Sequence, residues 1–489
     1  MRKDAILLTK GEEIMSTEGE IVYQNEGFRN SIGTVREDGK RKWIYPRKPK
    51  GKYYNWRTYL SYLLLAILFA GPFIKIDGQP LLLLNLFENK FVIFGAVFWP
   101  QDTYLLIFML LIFMVFIIMF TAVFGRVFCG WFCPQTLFME MVFRKVEYWI
   151  EGDANQQRKL NAMPWNREKI LKKTAKMAIF SFISLLIGHT VMAYLIGVES
   201  TIDIVSQPPS ENWAGFVGLL TFSGLFLFVF SWFREQACIV VCPYGRLQGV
   251  LLDENSMNVI YDYVRGEPRG KIRKKVVASI EEPPLGDCVD CTLCVQVCPT
   301  GIDIRNGIQM ECVNCTACID ACDEVMIKVN RPTGLIRFDS EKGVREGTKK
   351  LFSPRVMGYS FVLVVLFGIF VSLLLTRSDL EATVTRFRGM TYQEREGGEV
   401  SNLYEVSFIN KTFDEQKVEL RPESEDYRIE VVGHDDWSLE GQGRLEGRFF
   451  IVTDQEKILT NQKDITLLLL QNGEVIDKIE TSFVGPLQK

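Results

Sequence analysis

The chain has 489 residues and a formal net charge of −3, with 56 Lys and Arg against 59 Asp and Glu. This balance lacks the strong positive charge with which proteins bind nucleic acids, so we expect no nucleic-acid partner. The charge is unevenly divided, because residues 377–489 hold 14 Lys and Arg against 23 Asp and Glu. Residues 1–376 hold 42 against 36, so the two parts are expected to face different surroundings.

Five apolar runs are each long enough to cross a bilayer, which takes about 20 residues in a helix. They lie near residues 57–76, 103–125, 177–197, 213–233 and 356–376. A further apolar stretch at 80–95 is interrupted by polar residues, and we expect it to be re-entrant or to lie on the membrane surface. The first run lacks a small-residue cleavage site, so a removable signal peptide is not expected.

Lys and Arg flank the predicted spans unequally. Basic side chains crowd residues 40–52, the segment between the second and third spans, and residues 265–275, whereas residues 198–212 contain none. Because cytoplasmic loops are enriched in Lys and Arg, we expect the amino terminus in the cytoplasm and the carboxy-terminal domain outside it.

Two predicted helical hairpins, residues 57–125 and 177–233, are followed by similar sequences. These are F-G-R-V-F-C-G-W-F-C-P and F-R-E-Q-A-C-I-V-V-C-P, each with an Arg followed by Cys-x-x-x-Cys-Pro. Matching sequences at matching topological positions predict an internal repeat.

The repeat carries four cysteines, Cys129, Cys133, Cys238 and Cys242, which we call the CxxxC thiols. In a helix, the two cysteines of each pair would share one face. If the repeat brings the pairs together, four soft sulfurs meet at the cytoplasmic membrane surface. Such a group suits Cu(I), another soft metal or a cluster, or provides a redox dithiol. The alternative is that they are small buried apolar residues at helix ends.

Histidine is scarce, with only His189 in the third predicted span and His434 in the outer domain. A membrane haem with two axial histidines would need a second His inside the membrane, so a cytochrome b is excluded. His189 is a candidate metal or quinone contact, or a residue hydrogen-bonded to a neighbouring helix. There is no Gly-rich phosphate loop, so nothing supports binding of NADH or a flavin.

The remaining eight cysteines form two motifs, C-V-D-C-T-L-C-V-Q-V-C-P at 288–299 and C-V-N-C-T-A-C-I-D-A-C-D at 312–323. This is the spacing of bacterial ferredoxins, in which the fourth cysteine of each motif ligates the other cluster. We therefore predict two [4Fe–4S] clusters with two sets of ligands. These are the Cys322 set (Cys288, Cys291, Cys294 and Cys322) and the Cys298 set (Cys312, Cys315, Cys318 and Cys298).

Two other readings of these eight cysteines fit less well. Structural zinc motifs use two widely separated pairs rather than three closely spaced cysteines. A disulfide framework is not expected because the segment is predicted to lie in the reducing cytoplasm.

Residues 377–489 contain apolar and polar residues in alternation at 404–410, 417–422, 427–432, 448–453 and 464–470. Short strands at this spacing, separated by turn residues, predict a β-sandwich. The predicted fold is thus an α-helical membrane protein with five transmembrane helices, a two-cluster ferredoxin insert and a carboxy-terminal sandwich. Its predicted domains are a cytoplasmic segment at 1–56, a four-helix membrane domain at 57–279, the ferredoxin domain at 280–335, a linker with the fifth helix at 336–376, and the outer domain at 377–489.

Longer stretches carry a family resemblance. They include G-F-R-N-S-I-G-T-V at 27–35, G-K-R-K-W-I-Y-P-R-K-P-K-G at 39–51, F-C-G-W-F-C-P-Q-T at 128–136, C-I-V-V-C-P-Y-G-R-L-Q at 238–248 and N-L-Y-E-V-S-F-I-N-K-T at 402–412. With the ferredoxin motifs, they make the chain resemble the CcoG/FixG (RdxA) group of cytochrome c oxidase accessory proteins over most of its length. The resemblance implies an inner-membrane protein with an immunoglobulin-like periplasmic domain. It also implies that the chain reduces Cu(II) to Cu(I) during assembly of cbb3-type cytochrome c oxidase.

Two other functions remain open at this point. The chain could be a polyferredoxin subunit that passes electrons between the quinone pool or a cytoplasmic donor and a partner reductase. It could also be a non-enzymatic assembly factor or redox sensor whose outer domain docks an oxidase assembly or copper-transport protein. The sequence identifies neither the cytoplasmic electron donor nor whether the protein is a homo-oligomer.

Overall fold

A computed structural model describes residues 34–35, 38, 40–76, 78–86, 90–94, 96–271, 285–347, 353–433, 437–458 and 460–486. The chain forms two compact units. One comprises Met1–Ile74, Leu83–Phe87 and Leu106–Gly368, and the other comprises Lys75–Leu82, Glu88–Leu105 and Ile369–Lys489. All twelve cysteines lie in the first unit.

Within the described residues, four helices are long and apolar enough to cross a membrane. They are Thr103–Phe124 (α2), Arg167–Ile196 (α7), Trp213–Phe233 (α9 and the π-helical turn that continues it) and Pro354–Leu375 (α15). Each overlaps a predicted span, although α7 begins ten residues before the predicted start at residue 177. The side chains of these helices are largely exposed on the protein surface, as expected where the solvent is lipid.

The first predicted span forms helix α1, Lys52–Ala70. It begins five residues before the predicted start at residue 57 and ends six residues before the predicted end at residue 76. Pro72 lies two residues after the last residue of α1. A proline cannot continue a helix without the loss of a backbone hydrogen bond. The first half of α1 is polar and aromatic, and the buried Arg57 lies in it.

Where the structure describes the interrupted apolar stretch at 80–95, it contains strands rather than a helix. Short strands run through this region: Lys75–Ile76 (β1), Gln79–Pro80 (β2), Leu82–Asn85 (β3), Lys90–Ile93 (β4) and Ala96–Phe98 (β5). β1 pairs antiparallel with β2, and β4 pairs antiparallel with β5. The stretch therefore does not span the membrane as a helix, in agreement with its interruption by polar residues.

Short helices fill the segments between the spans. They are Val127–Trp131 (α3), Pro134–Thr136 (α4), a π-helix at Leu137–Phe143, Arg144–Ile150 (α5), Ala154–Ala162 (α6), Val198–Ser206 (α8), a π-helix at Ala237–Val241 and Pro243–Leu251 (α10). Buried ion pairs connect the two repeats, since Arg234 donates to both carboxylate oxygens of Glu147 at 3.0 and 2.9 Å. Arg234 belongs to the F-R-E sequence that precedes Cys238, and Glu147 lies in α5.

The ferredoxin segment is held between two paired strands. Its elements are Asn258–Tyr261 (β6), Tyr263–Gly266 (α11), Leu293–Gln296 (α12), Ala317–Lys328 (α13), Ile336–Asp339 (β7) and Glu341–Glu346 (α14). β6 pairs antiparallel with β7, and both contribute to an apolar core with Ile302, Ile319 and Met326. This core surrounds the cysteines.

Helix α1 is attached to the ferredoxin segment at its first turn. The Asp320 carboxylate accepts hydrogen bonds from the backbone N–H groups of Tyr53 and Tyr54, at 3.1 and 2.8 Å. A carboxylate at a helix amino terminus satisfies free N–H groups and complements the helix dipole. Gly51 has φ +144°, and a Cβ there would lie 2.3 Å from Asp320 Cγ, so only glycine fits this approach.

The second unit contains the predicted β-sandwich, which is confirmed. Its strands are Leu380–Arg386 (β8), Gln393–Arg395 (β9), Glu399–Asn410 (β10), Gln416–Pro422 (β11), Arg428–Val432 (β12), Trp437–Leu439 (β13), Arg444–Asp454 (β14), Gln462–Gln471 (β15) and Glu474–Val484 (β16). One sheet has the order β12-β14-β10-β8 with β9 on β10, and the other has the order β13-β11-β15-β16. Inward side chains such as Tyr404, Phe449 and Leu467 are fully buried between the sheets.

Candidate metal centres

The two ferredoxin loops share an unusual backbone conformation. Four residues at matching positions have positive φ: Asp290 (49°) and Thr292 (60°) in the first loop, and Asn314 (51°) and Thr316 (65°) in the second. Asp and Asn tolerate the left-handed region, but β-branched Thr rarely adopts it. Strained residues of this kind persist where the surroundings require them, and they cluster at functional sites.

This conformation turns backbone N–H groups toward the sulfurs. Burial raises the pKa of Cys312 and Cys315, and the backbone N–H groups of Asn314 and Ala317 act against that rise. Hydrogen bonds to a sulfur favour its charged form, the thiolate that binds metal. The loop therefore supplies both the thiols and the dipoles that stabilise them.

The structure brings the eight ferredoxin cysteines together in two groups. Cys318 interacts electrostatically with Cys315, Cys312 and Cys298, and more weakly with Cys294 of the other set. Cys322 interacts with Cys294, Cys291 and Cys288. These are the same two sets that the spacing predicts, and their role as cluster ligands stays a prediction.

The Cys298 set surrounds a cavity. All four of its cysteines line this space, together with Cys294 of the other set and apolar side chains that include Val259, Ile302 and Ile304. Four soft sulfurs around a mostly apolar space fit a four-iron cluster, whose ligands are cysteine thiolates.

Burial controls the protonation of these thiols. It raises the pKa of Cys312, Cys294 and Cys322 to about 12, and the pKa of Cys315 to about 11. In the metal-free protein at neutral pH these thiols are therefore protonated, and metal binding must displace the protons.

The CxxxC thiols lie on two loops of the same design. Cys129 lies in α3 and Cys238 in the π-helical turn, whereas Cys133 and Cys242 have extended backbone directly before a proline. The N–H of each second cysteine donates to the carbonyl five residues earlier, at 2.9 Å for Cys133 and 2.8 Å for Cys242. The predicted shared helix face does not form, because a residue before proline is forced out of the helical region.

These four thiols nevertheless converge. Cys238 interacts electrostatically with Cys133, Cys129 and Cys242. Burial raises the pKa of Cys129 and of Cys238 to about 12, and Cys129 donates to Gln248 Oε1 at 3.2 Å. Across the described part of the chain, no three His, Cys, Asp or Glu side chains are arranged to hold a single metal ion. The thiols are thus neighbours rather than a closed tetrahedral site.

The CxxxC thiols lie against the second ferredoxin loop. Cys129 packs on the apolar cluster that contains Val313 and Cys315. A Cβ built on Gly130 would lie 2.4 Å from the Val313 carbonyl oxygen and 3.0 Å from the Asn314 backbone. Only glycine allows this close backbone approach, which places the CxxxC thiols beside the Cys298 set.

Two arginines that sequence reasoning did not assign to a site connect the same loops. Arg57 donates from Nε to the Gly130 carbonyl at 3.0 Å and from Nη1 to the Cys315 carbonyl at 3.1 Å. Arg126 donates to the carbonyls of Met310 and Gly245. The signal that could have found Arg57 is its position at the start of an apolar run, where a charge needs a partner.

His189 makes a hydrogen bond within its own helix. Its Nδ1 lies 2.7 Å from the Leu185 carbonyl oxygen, and the neighbouring-helix bond that was the alternative expectation is not seen among the described residues. A role of His189 as a metal or quinone contact stays a prediction. His434 lies outside the described residues.

Three family models match the chain. A 4Fe-4S dicluster domain matches residues 233–341, which contain both ferredoxin motifs and the second CxxxC pair. A 4Fe-4S binding domain matches residues 106–152, which contain the first CxxxC pair. The IG-like fold at the C-terminal of FixG matches residues 370–486.

Known proteins are similar over most of the length. Protein RdxB of Cereibacter sphaeroides is 33% identical over 420 residues, which cover 83% of this chain and 85% of that protein. Nitrogen fixation protein FixG of Rhizobium meliloti is 33% identical over 427 residues, which cover 78% and 79%. The crystal structure of a FixG-related protein from Vibrio parahaemolyticus aligns with 23% of this chain and 100% of that one, at 24% identity and a TM-score of 0.20.

Proposed function

Because the chain belongs to the FixG family of membrane iron–sulfur electron-transfer proteins, we propose that it reduces Cu(II) to Cu(I) for assembly of a cbb3-type cytochrome c oxidase. In this proposal the ferredoxin segment supplies single electrons, and the CxxxC thiols receive the copper ion as substrate. The product would pass to an oxidase assembly or copper-transport protein.

The eight ferredoxin cysteines are the proposed ligands of two [4Fe–4S] clusters. The Cys298 set and the Cys322 set each supply four thiolates, and a bound cluster gives up one electron at a time. The chain contributes the N–H donors of the left-handed loops and the apolar walls around the sulfurs. The walls exclude water, which strengthens each electrostatic interaction with the sulfurs.

The observation that carries the copper proposal is the position of the CxxxC thiols beside the Cys298 set. Thiolate is a soft ligand and prefers Cu(I) to Cu(II), so a group of thiols stabilises the reduced product. Each Cu(II) needs one electron, which a reduced cluster supplies without a proton or a second substrate. The close approach of Gly130 to Val313 keeps the electron-transfer distance between the Cys298 set and the CxxxC thiols short.

We further propose that the ferredoxin segment faces the cytoplasm and the immunoglobulin-like domain faces the periplasm of an inner membrane. The support is the distribution of Lys and Arg, which crowd residues 40–52 and the segment between α2 and α7 but are absent from residues 198–212. The electron donor in this arrangement is a cytoplasmic reductant.

The double variant Cys129→Ser with Cys238→Ser tests the proposal. We expect it to retain the iron content and cluster absorbance of the parent protein while it loses Cu(II) reduction. Loss of iron together with activity would mean that these thiols support the fold. Unchanged copper reduction would refute their role, and oxidation of a quinol analogue by that variant would favour the polyferredoxin subunit.

A further inference from the structure

Two buried cations lie on one side of the ferredoxin segment. Arg57 and Arg126 are each about 5% exposed. Arg57 interacts electrostatically with the Cys315 thiol, and Arg126 interacts with the Cys312 thiol. Both cysteines belong to the Cys298 set. Glu140 is an opposing charge that acts on Cys315, but it is paired with Arg144.

The Cys322 set has different neighbours. Arg305 and then Asp303 act on Cys294, and Asp323 acts on Cys322. Arg305 is the cation that acts on this set among the described residues, and its guanidinium is already engaged, at 2.6 Å by Asp290 and at 2.6 Å by Asp303. The charged groups named here therefore sum to a negative field at the Cys322 set and a positive field at the Cys298 set.

This difference in charge is expected to shift the reduction potentials of the two clusters in opposite directions. A four-iron cluster gains one negative charge on reduction, so a nearby cation stabilises the reduced form and a nearby carboxylate destabilises it. Cluster potentials depend on such charges and on burial. Because the arginines are buried, solvent screens their effect only weakly.

The solvent exposure of the cysteines also favours entry of electrons at the Cys322 set. Cys291 of the Cys322 set is exposed, whereas in the Cys298 set Cys315 is buried and the other three cysteines are half-buried. A soluble donor can therefore reach a sulfur of the Cys322 set directly. The Cys298 set in turn is the one whose loop contacts Gly130 and Cys129.

We propose that Arg57 and Arg126 give the Cys298 set the higher reduction potential, so that electrons pass from the Cys322 set to the Cys298 set and leave toward the CxxxC thiols. Arg57 and Arg126 also hold the two segments in position. Each donates one hydrogen bond to a backbone carbonyl of the ferredoxin segment and one to a backbone carbonyl of a CxxxC-bearing segment. The order of the two sets rests on the proposed binding of two clusters, but not on copper being the acceptor.

The test is a redox titration of the intact protein in detergent, followed by electron paramagnetic resonance of each cluster. Arg57→Gln removes the charge, whereas Arg57→Lys retains it but cannot make the same two hydrogen bonds. The variant Cys291→Ser identifies the signal of the Cys322 set, because serine ligation alters that cluster alone. Arg305→Gln is the matched control beside the Cys322 set.

We expect Arg57→Gln to lower the equilibrium constant for reduction of the Cys298-set cluster at least tenfold, which is 59 mV for one electron. The Cys322-set signal should not move, and Arg57→Lys should stay close to the parent. Arg305→Gln should lower the potential of the Cys322 set alone. If Arg57→Gln loses iron, Arg126→Gln provides the same measurement.

Several results would overturn the proposal. They are a lower potential for the Cys298 set than for the Cys322 set in the parent protein, equal shifts of both signals in Arg57→Gln, or an equal shift in Arg57→Lys. No copper is present in this titration. Failure of the parent protein to reduce Cu(II) would therefore refute the copper proposal and leave the order of the two sets intact.

Discussion

Replacing Gly130 with alanine tests the contact between the CxxxC thiols and the Cys298 set. The added methyl group would lie 2.4 Å from the Val313 carbonyl oxygen, whereas ordinary contact begins at 3.4 Å. The obstacle is backbone, so the two loops must separate by about 1 Å rather than rotate a side chain aside. Gly130 lies in α3, so its φ does not itself forbid alanine.

The expected cost is that of overpacking a well-packed site, about 1–3 kcal/mol. With a urea dependence of about 2 kcal/mol per molar, this lowers the midpoint of unfolding by about 1 M. We measure the midpoint from the loss of cluster absorbance in the detergent-solubilised protein. The rate at which Cu(II) oxidises the prereduced protein should also fall, because the gap between the two sites widens.

Gly218→Ala is the matched control. Gly218 lies in α9, and a Cβ there would meet nothing within 4 Å. Alanine favours a helix over glycine by up to about 1 kcal/mol, so this variant should be as stable as the parent or slightly more stable. A Gly130→Ala protein with the midpoint and the oxidation rate of Gly218→Ala would refute the described contact.

Two further predictions concern charge and pH. Asp102 is fully buried and pairs with Arg377 Nη2 at 2.6 Å and Lys411 Nζ at 2.9 Å, so Asp102→Asn leaves two cations without their full partner. We expect a loss of about 3–5 kcal/mol in the second unit, seen as a lower urea midpoint of its β-sheet circular dichroism with unchanged cluster signals; an unchanged midpoint would contradict this. The cluster-free protein should lose stability as pH rises from about 9 to about 12, because burial raises the pKa of Cys294 and Cys322 from 9.0 to about 12. In that range the unfolded chain releases its thiol protons first, so a urea midpoint that is constant between pH 8 and pH 11 would disprove the effect.

Much of the fold could be predicted because its signals are local. Four spans and the five alternating runs of the outer domain lie where composition and period place them. Strands β8, β9, β13 and β16 were not predicted, and their sequences show why. β16 is mostly exposed on both faces, so it lacks an alternating apolar pattern, and β13 has only three residues.

The cysteine groups were predictable for a different reason. The spacing in each ferredoxin motif determines which thiols a short loop can bring together, and the repeat indicates that two CxxxC pairs occupy equivalent positions. The role of Gly130 depends on its contact with Val313, about 180 residues away, and the role of Arg57 depends on its hydrogen bond to Cys315, 258 residues away. No local sequence pattern indicates such a contact, so the roles of these two residues could be recognised only in the structure.

The most direct test of the account is a titration of Cu(II) into the anaerobically purified, dithionite-reduced protein after excess reductant is removed. We predict about eight irons per chain, with cluster reoxidation matched by formation of about one Cu(I) per cluster. Eight irons with no response to Cu(II) would show that copper is not the acceptor. Twelve irons would place a third cluster on the CxxxC thiols and contradict their assignment as the copper site.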